Sequence, residues 1–356
     1  MMQISCFRKL FVWVSLFVVS CKKDPTDITL ASRGIYNSST CEWFGDNNIG
    51  YAMNSNGSWA FIKPGIEVVM GHIEESTLIP DFFLKSTANV TFDSLALWND
   101  FALNDHQQLI GKINFSSQLY VKDQRIRFSF ESALNMQDFH FIHDTVWYIR
   151  GGGGAMGLSF KKVGENFQWR SFYSIVSDGF CRFDAFTKDE MNNFWLIDSV
   201  EKKLYFLPYG SDTLALSPVN SESFGFNSLE PILTSFGRIA MQVDDKQRLW
   251  IMSGGKIGLY DAATKKFIYN YHNSFYSAED HQFTSLFWDK VNKRMWLLGD
   301  ENSVSFFKDE QFFSQAVSDM VGTTEFMHQR YFGMGVHPTG TCVFWGKSQV
   351  IVAKPG

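Results

Sequence analysis

Between Met136 and Ala353 the chain alternates short apolar runs with polar breaks in a repeated order. Polar residues lead into an apolar residue, Trp and two more apolar residues. A Gly-containing turn, an alternating segment, a polar turn and another apolar segment follow. The stretches around Trp147, Trp195, Trp250 and Trp296 share this order, and the one at Trp345 is cut short by Gly356. Trp98 and Trp59 extend the series towards the N-terminus, at intervals that run overall from 39 to 55 residues. Period-two patterns such as Ile126, Phe128 and Phe130 predict strands. No apolar i, i+3, i+4, i+7 run with a cap predicts a helix.

Seven units of this length, each with about four short strands, predict an all-β chain folded as a β-propeller, with six or eight blades the neighbouring counts. The propeller is expected to be a single domain over residues 41–356, with each Trp on a blade's second strand, wedged against the next blade. The last unit, from about Arg330, has room for only three strands. An open strand edge is an aggregation liability, so Asp27–Ser32 is expected to pair with Gln349–Ala353 and join the termini. That closure would also bring Cys41 near Cys342, where a disulfide is one option and two free buried thiols the other.

The stretch VDDKQRLWIMSGGKIGLYD, Val243 to Asp261, resembles the two-component-regulator propeller repeat, which has a polar turn before L-W-I and a G-L-Y hairpin after it. The resemblance extends loosely over about four more units. It implies an extracytoplasmic sensory propeller, here without the kinase that usually accompanies one.

The N-terminus reads as an address. Met1 to Lys9 is a short basic region, and Leu10 to Val19 is apolar. Ten residues at helical rise, all but Ser15 apolar, cover roughly half of a bilayer core, which predicts a signal peptide rather than a membrane helix. Val18-Val19-Ser20-Cys21 at its end resembles the lipobox of bacterial lipoproteins, and Cys21-Lys-Lys-Asp-Pro resembles the mature start of Bacteroidota lipoproteins. The resemblance implies cleavage after residue 20 and lipidation of Cys21; residues 21–40 are then expected to form the lipidated tether and the ring-closing strand. It also implies anchoring to the outer membrane, on the periplasmic side or at the surface. Several acyl chains would make that anchor durable.

Composition narrows the partners. The 356-residue chain carries a formal charge of −5, which becomes −7 once residues 1–20, with Arg8, Lys9 and no acid, are removed. An acidic chain without a basic run argues against nucleic acid as a partner. Besides Cys21, the thiols left to a mature chain are Cys41, Cys181 and Cys342, too few for a disulfide framework. Aromatic content of 17% supplies a large core.

Gly152, Gly154 and Gly157 satisfy G-x-G-x-x-G. A dinucleotide site needs a helix N-terminus after the glycines, whereas Leu158-Ser-Phe-Lys-Lys162 has the pattern of a strand. Gly151, Gly152, Gly153 and Gly154 are therefore read as the turn between a blade's second and third strands, at the rim where ligands enter. His140 and His143, three apart on a predicted strand, point to opposite faces and do not form a metal pair. Asp189–Glu190 and Asp244–Asp245 fall in polar turns and are read as solvated hairpin tips. No metal or cofactor is expected. The inner strands carry few acids, Asp184 being the clearest.

Two functional classes follow. The first is a binding or scaffold propeller recognising a protein, peptide or glycan at its axial face. The second is a polysaccharide hydrolase or lyase with loop-borne carboxylates. Basic or imidazole residues favour the first: His140, Arg182, Arg238, His281 and Arg330 recur just before the predicted inner strands, where a ring of positive potential would receive an anionic ligand. Pairing of each Arg with an acid of the neighbouring blade, as Asp184 allows, is the structural alternative.

Overall fold

The computed structural model describes residues 30–37, 50–63, 67–75, 77–85, 101–113, 116–121, 124–127, 136–142, 145–150, 155–163, 166–172, 183–198, 203–209, 239–253, 256–264, 266–269, 283–299, 303–308, 311–316, 331–346 and 349–355. All regular structure among them is β. Strand β1 (Leu30–Asn37) precedes the repeats. The first sheet is β2 (Gly50–Met53), β3 (Trp59–Lys63), β4 (Glu67–Glu74) and β5 (Thr77–Lys85). The second is β6 (Phe101–Leu103), β7 (Gln108–Ile113), β8 (Ser116–Val121) and β9 (Gln124–Arg127). The third is β10 (Met136–Ile142), β11 (Thr145–Arg150), β12 (Ala155–Val163) and β13 (Asn166–Phe172). The fourth has three strands among the described residues, β14 (Phe183–Lys188), β15 (Phe194–Asp198) and β16 (Lys203–Leu207).

The fifth sheet is β17 (Ile239–Val243), β18 (Arg248–Ser253), β19 (Lys256–Asp261) and β20 (Lys266–Tyr269). The sixth is β21 (Phe283–Asp289), β22 (Arg294–Gly299), β23 (Ser303–Lys308) and β24 (Gln311–Ala316). The seventh combines β25 (Tyr331–Val336), β26 (Cys342–Gly346) and β27 (Gln349–Pro355) with β1, which pairs antiparallel to β27. Within each sheet consecutive strands are antiparallel neighbours, as short hairpin connections dictate. The first strands of successive sheets lie against one another in turn, and β25 lies against β2.

The N-terminal strand occupies the expected place with a shifted span. Asn37 stands opposite Gln349 and Arg33 opposite Ala353, so the described pairing runs over Leu30–Asn37 and the register against β27 is shifted from the expected one; Asp27 to Thr29 lie outside the described residues. A register irregularity falls between Leu30 and Ser32, beyond which Leu30 pairs with Pro355. Cys342 is a free thiol, buried among core side chains, and burial drives its pKa well up. The disulfide option is thus not taken at Cys342; Cys41 lies outside the described residues.

The core sits between sheets. Strand β18 is buried at all six positions, so its two faces serve two neighbours. Leu249 and Ile251 pack with Trp195, Ile197 and Leu204 of the fourth sheet. Trp250 and Met252 pack with Leu286, Met295 and Leu297 of the sixth. This double burial explains why second strands read as continuous apolar runs while the outer strands alternate. The indoles do wedge between sheets. Trp195 meets Tyr260 edge-on at 6.1 Å between ring centres, Trp250 meets Phe307 at 4.9 Å, and Trp296 meets Phe344 at 5.5 Å.

Three positions depart from the Trp series. Trp345 stands opposite Gly333, four residues before the turn that opens at His337, and Val343 takes the place equivalent to Trp250. Trp59 stands opposite Met53, one residue before its turn, whereas Trp250 stands opposite Gln242, two before an equivalent turn. Side chains alternate along a strand, so Trp59 faces the other side of its sheet. Its Nε1 donates to His72 O at 2.8 Å. In the second sheet Leu109, fully buried, takes the position corresponding to Trp59, and Trp98 lies outside the described residues.

The first hairpin of most sheets is built alike. Asn54, Asn104, Asp189 and Asp244 each open a turn closed by a residue with φ between 58° and 83°: Gly57, Gln107, Asn192 and Gln247 respectively. A hydrogen bond across the turn and one left-handed residue identify a type I turn followed by a G1 bulge. The opening side chain caps it. Asn54 Oδ1 accepts from Asn56 N and Ser58 N, and Asp244 Oδ1 accepts from Lys246 N and Arg248 N. Asp189 and Asp244 are consequently buried, which corrects their reading as solvated tips; only Glu190 is fully out and Asp245 partly so.

Candidate functional site

The first strands of all seven sheets line one central cavity of about 680 Å³. That volume lies in the range of small-molecule and cofactor sites. Tyr51, Phe141, Phe186, Met241, Leu286 and Met334 face it from six different sheets. The second sheet contributes Ala102 and Leu103. Trp345 reaches it from a second strand because Gly333 stands opposite: any Cβ at 333 would run into the indole. The same indole stacks on Tyr51 with ring centres 3.5 Å apart.

The polar lining gathers where first strands enter their hairpin turns. Asn54, Ser55, Asn104, Asp105, His106, Lys188, Asn192 and Lys290 all stand at that end. Neighbouring turns are tied together across sheets. Asn54 Nδ2 donates to Asn104 O at 2.9 Å, and Ser55 Oγ donates to the Asp105 carboxylate at 2.8 Å. Lys293 Nζ reaches Asp245 at 3.0 Å. Asp105 is the only carboxylate lining the cavity among the described residues.

Lys188, at the last position of β14, is the most unusual charge there. Its side chain is partly buried, and Nζ donates to Asn192 Oδ1 at 3.1 Å. Burial lowers its pKa, and the charge of Lys290 lowers it further, against Asp105 and Asp189 which raise it. The Asp189 carboxylate is held by its own turn, accepting from Asn193 N and from Asn193 Nδ2 at 2.8 Å each. Among the described residues neither Lys188 nor Lys290 has a carboxylate within ion-pair distance.

His140 lines the cavity from β10, its ring edge-on to Phe186 at 4.5 Å. Burial first and the Lys188 charge second push its pKa down to about 4, so it is a neutral imidazole at physiological pH. It contributes hydrogen bonding there and no positive charge. Arg182, Arg238, His281 and Arg330, and the rim glycines Gly151, Gly152, Gly153 and Gly154, lie outside the described residues. The strands flanking those glycines are antiparallel neighbours, with Ile149 opposite Ala155, as a hairpin requires and a nucleotide-binding strand–helix turn does not. The cations found at the cavity, Lys188 and Lys290, were not legible as a pair, because one ends a strand and the other lies inside a turn. A Lys just before the capping Asp of an apolar strand was the available signal for Lys188.

No protein-family model matches the chain, and neither does any curated protein. Solved structures do match. YCF48 bound to D1 peptide aligns with a TM-score of 0.57 at 12% identity, over 93% of this chain and 100% of that one. Virginiamycin B lyase from Staphylococcus aureus aligns at 0.58 and 9% identity, over 91% and 99%. The extracellular domain of the putative one-component system BT4673 from B. thetaiotaomicron aligns at 0.61 and 12% identity, over 90% of this chain and 42% of that one. At these identities the likeness speaks for architecture alone: the chain has an all-β, β-propeller-type fold.

Proposed function

We propose that the protein is a lipid-anchored, extracytoplasmic binding module. In this reading seven blades close into one ring through β1, and the axial cavity recognises a protein, peptide or glycan. The observation that carries the proposal is the cavity of about 680 Å³ to which all seven first strands contribute. The unbroken sequence of first-strand neighbours, from β2 round to β25 and back, supports closure. Support also comes from the similar folds, among them a protein described as bound to a peptide and an extracellular domain. The Val18–Cys21 segment supports the anchor.

Arg182, Arg238, His281 and Arg330 belong to the same proposal as anion-attracting groups at the starts of the inner strands. The enzyme alternative, a polysaccharide hydrolase or lyase, requires in its hydrolase form two facing carboxylates. Asp105 stands without a second carboxylate among the described lining residues, and this favours binding.

The test is a thermal-shift screen of the mature chain against peptides and oligosaccharides, repeated on Ala102→Trp, which places an indole at the cavity wall and obstructs it. A ligand that stabilises the parent chain and not the variant, at an equal ligand-free melting temperature, is the expected result. Arg182→Glu with Arg238→Glu should weaken the same ligand if it is anionic. Stabilisation that survives the obstructed cavity would refute the axial site, and turnover of an oligosaccharide would favour the enzyme.

A further inference from the structure

Lysine is seldom buried without a counter-charge, because removing an ammonium from water is costly unless it is paired. Lys188 is partly buried at a place open to a ligand, and among the described residues no carboxylate lies within ion-pair distance of it. Its one hydrogen-bond acceptor among the described residues is the neutral Asn192 Oδ1. The two carboxylates nearest in effect are occupied, Asp189 by its turn and Asp105 by Ser55 Oγ at 2.8 and 2.9 Å to its two oxygens. Lys290 enters the same cavity from the sixth sheet and adds a second positive charge to the mouth. Asn192 is held in the left-handed region at φ 64°, and its Oδ1 turned to Lys188 leaves the Nδ2 donor for a ligand.

A second observation bears on the ligand. The turn carrying Asn192 also bears Met191, which is 62% exposed. Tyr209, 51% exposed, is fastened beside it by Asn193 Oδ1, which accepts from Tyr209 N at 2.9 Å. These two, with Val291, are the exposed large hydrophobic side chains among the described residues, and Val291 follows Lys290 directly. Exposed apolar side chains thus flank both lysines. Exposed Met is a feature of surfaces that take up peptide side chains, and it offers nothing to the hydroxyl groups of a sugar.

We infer that this mouth is a peptide-recognition site, in which Lys188 and Lys290 hold a carboxylate of an acidic residue or chain end, and Met191 and Tyr209 receive the apolar residue next to it. The inference rests on the axial-cavity reading above and names its ligand class. Charge-assisted hydrogen bonds from the two ammonium groups and the Asn192 amide supply direction, and the apolar rim supplies contact area. An acidic glycan would use the lysines and could stack on Tyr209, but would leave Met191 idle.

The experiment is a selection from a random heptapeptide phage library on the mature, full-length chain, followed by anisotropy titrations of the best peptide. The expected selectants pair Asp, Glu or an essential free C-terminal carboxylate with a neighbouring apolar residue. Lys188→Met should weaken binding about tenfold or more, which is the scale of one lost charge-assisted bond. Lys290→Gln and Met191→Ser, at exposed positions that do not endanger folding, should each weaken it several-fold. Selectants with no carboxylate requirement, or a Lys188→Met variant with the melting temperature and affinity of the parent, would overturn the inference. So would trigalacturonate binding that depends on Lys188 and ignores Met191→Ser, which would make the ligand a glycan. If Ala102→Trp abolishes peptide binding while the lysine variants do not, this inference fails and the axial site stands. If neither matters, both fail.

Discussion

Single side chains do two kinds of work in this molecule, and Asp244 shows the structural kind. Besides capping its turn, its Oδ2 accepts from Arg248 Nε at 2.7 Å and Trp250 Nε1 at 3.0 Å, all three residues being buried. Asp289 repeats part of this with Trp296 Nε1 at 3.1 Å. Asp244→Ala would remove the carboxylate that accepts from the buried Arg248 guanidinium and the Trp250 indole N–H, and a loss of about 3–5 kcal/mol is expected in denaturant unfolding. Asp244→Asn should cost less, since Asn54 and Asn104 cap equivalent turns with an amide. His140 is the other kind, a titratable group at the cavity. Its pKa is near 4 in the fold and about 6.5 in an unfolded chain. The unfolded chain therefore takes the proton first as pH falls. Stability is full above pH 6.5, declines between 6.5 and 4, and levels off below, by about 3 kcal/mol in all. His337, also lowered by burial, adds a smaller slope in the same direction. Unfolding measured from pH 7 to 4 should be flatter in His140→Gln, and an unchanged slope would contradict the neutral buried imidazole.

At the scale of elements, the hairpins and the last sheet carry the design. Turn-opening Asn and Asp, with a left-handed residue three positions on, recur at the mouth because the sheets repeat one supersecondary unit. That recurrence was visible as polar breaks, yet the burial of Asp189 and Asp244 was not. Whether a turn side chain points to water or folds back on its own amides depends on the bulge geometry, which residue type alone leaves undecided. The shortfall of one strand after Arg330 was legible, being a matter of length. The pairing span was legible only to within a few residues, since both Asp27–Ser32 and Leu30–Asn37 alternate acceptably and the partner's register decides. Removal of residues 30–37 would leave β27 as an open edge. A lower melting temperature together with concentration-dependent association in sedimentation velocity is the expected outcome. A monomer of unaltered stability would mean that β1 contributes nothing to closure.

For the molecule as a whole, the proposed anchor and the axial mouth make one arrangement. Strand β1 begins at Leu30, so the proposed tether from Cys21 is under ten residues long and would hold the seventh sheet close to the membrane. Expressed in a bacterium with lipoprotein processing, the chain should incorporate radiolabelled palmitate and fractionate with membranes. Cys21→Ser should abolish both without altering the fold of the rest. Labelling that persists in that variant would remove the anchor from the proposal.

Local periodicity, read along the chain, sufficed for the all-β class, the Trp-bearing second strands, the hairpin around residues 151–154 and the missing last strand. Each of these follows from strand spacing and from a unit repeated often enough to average out its irregularities. The cavity and its chemistry came only with the tertiary structure. His140, Lys188, Lys290 and Asp105 belong to four sheets, and no spacing in sequence relates them. Their meeting depends on the order of sheets around the axis and on the parity of each strand, where a shift of one residue turns a side chain from the mouth into the core. Burial then acted on two of them, leaving His140 neutral and lowering the pKa of Lys188, because the cost of a charge depends on its surroundings rather than on its residue type.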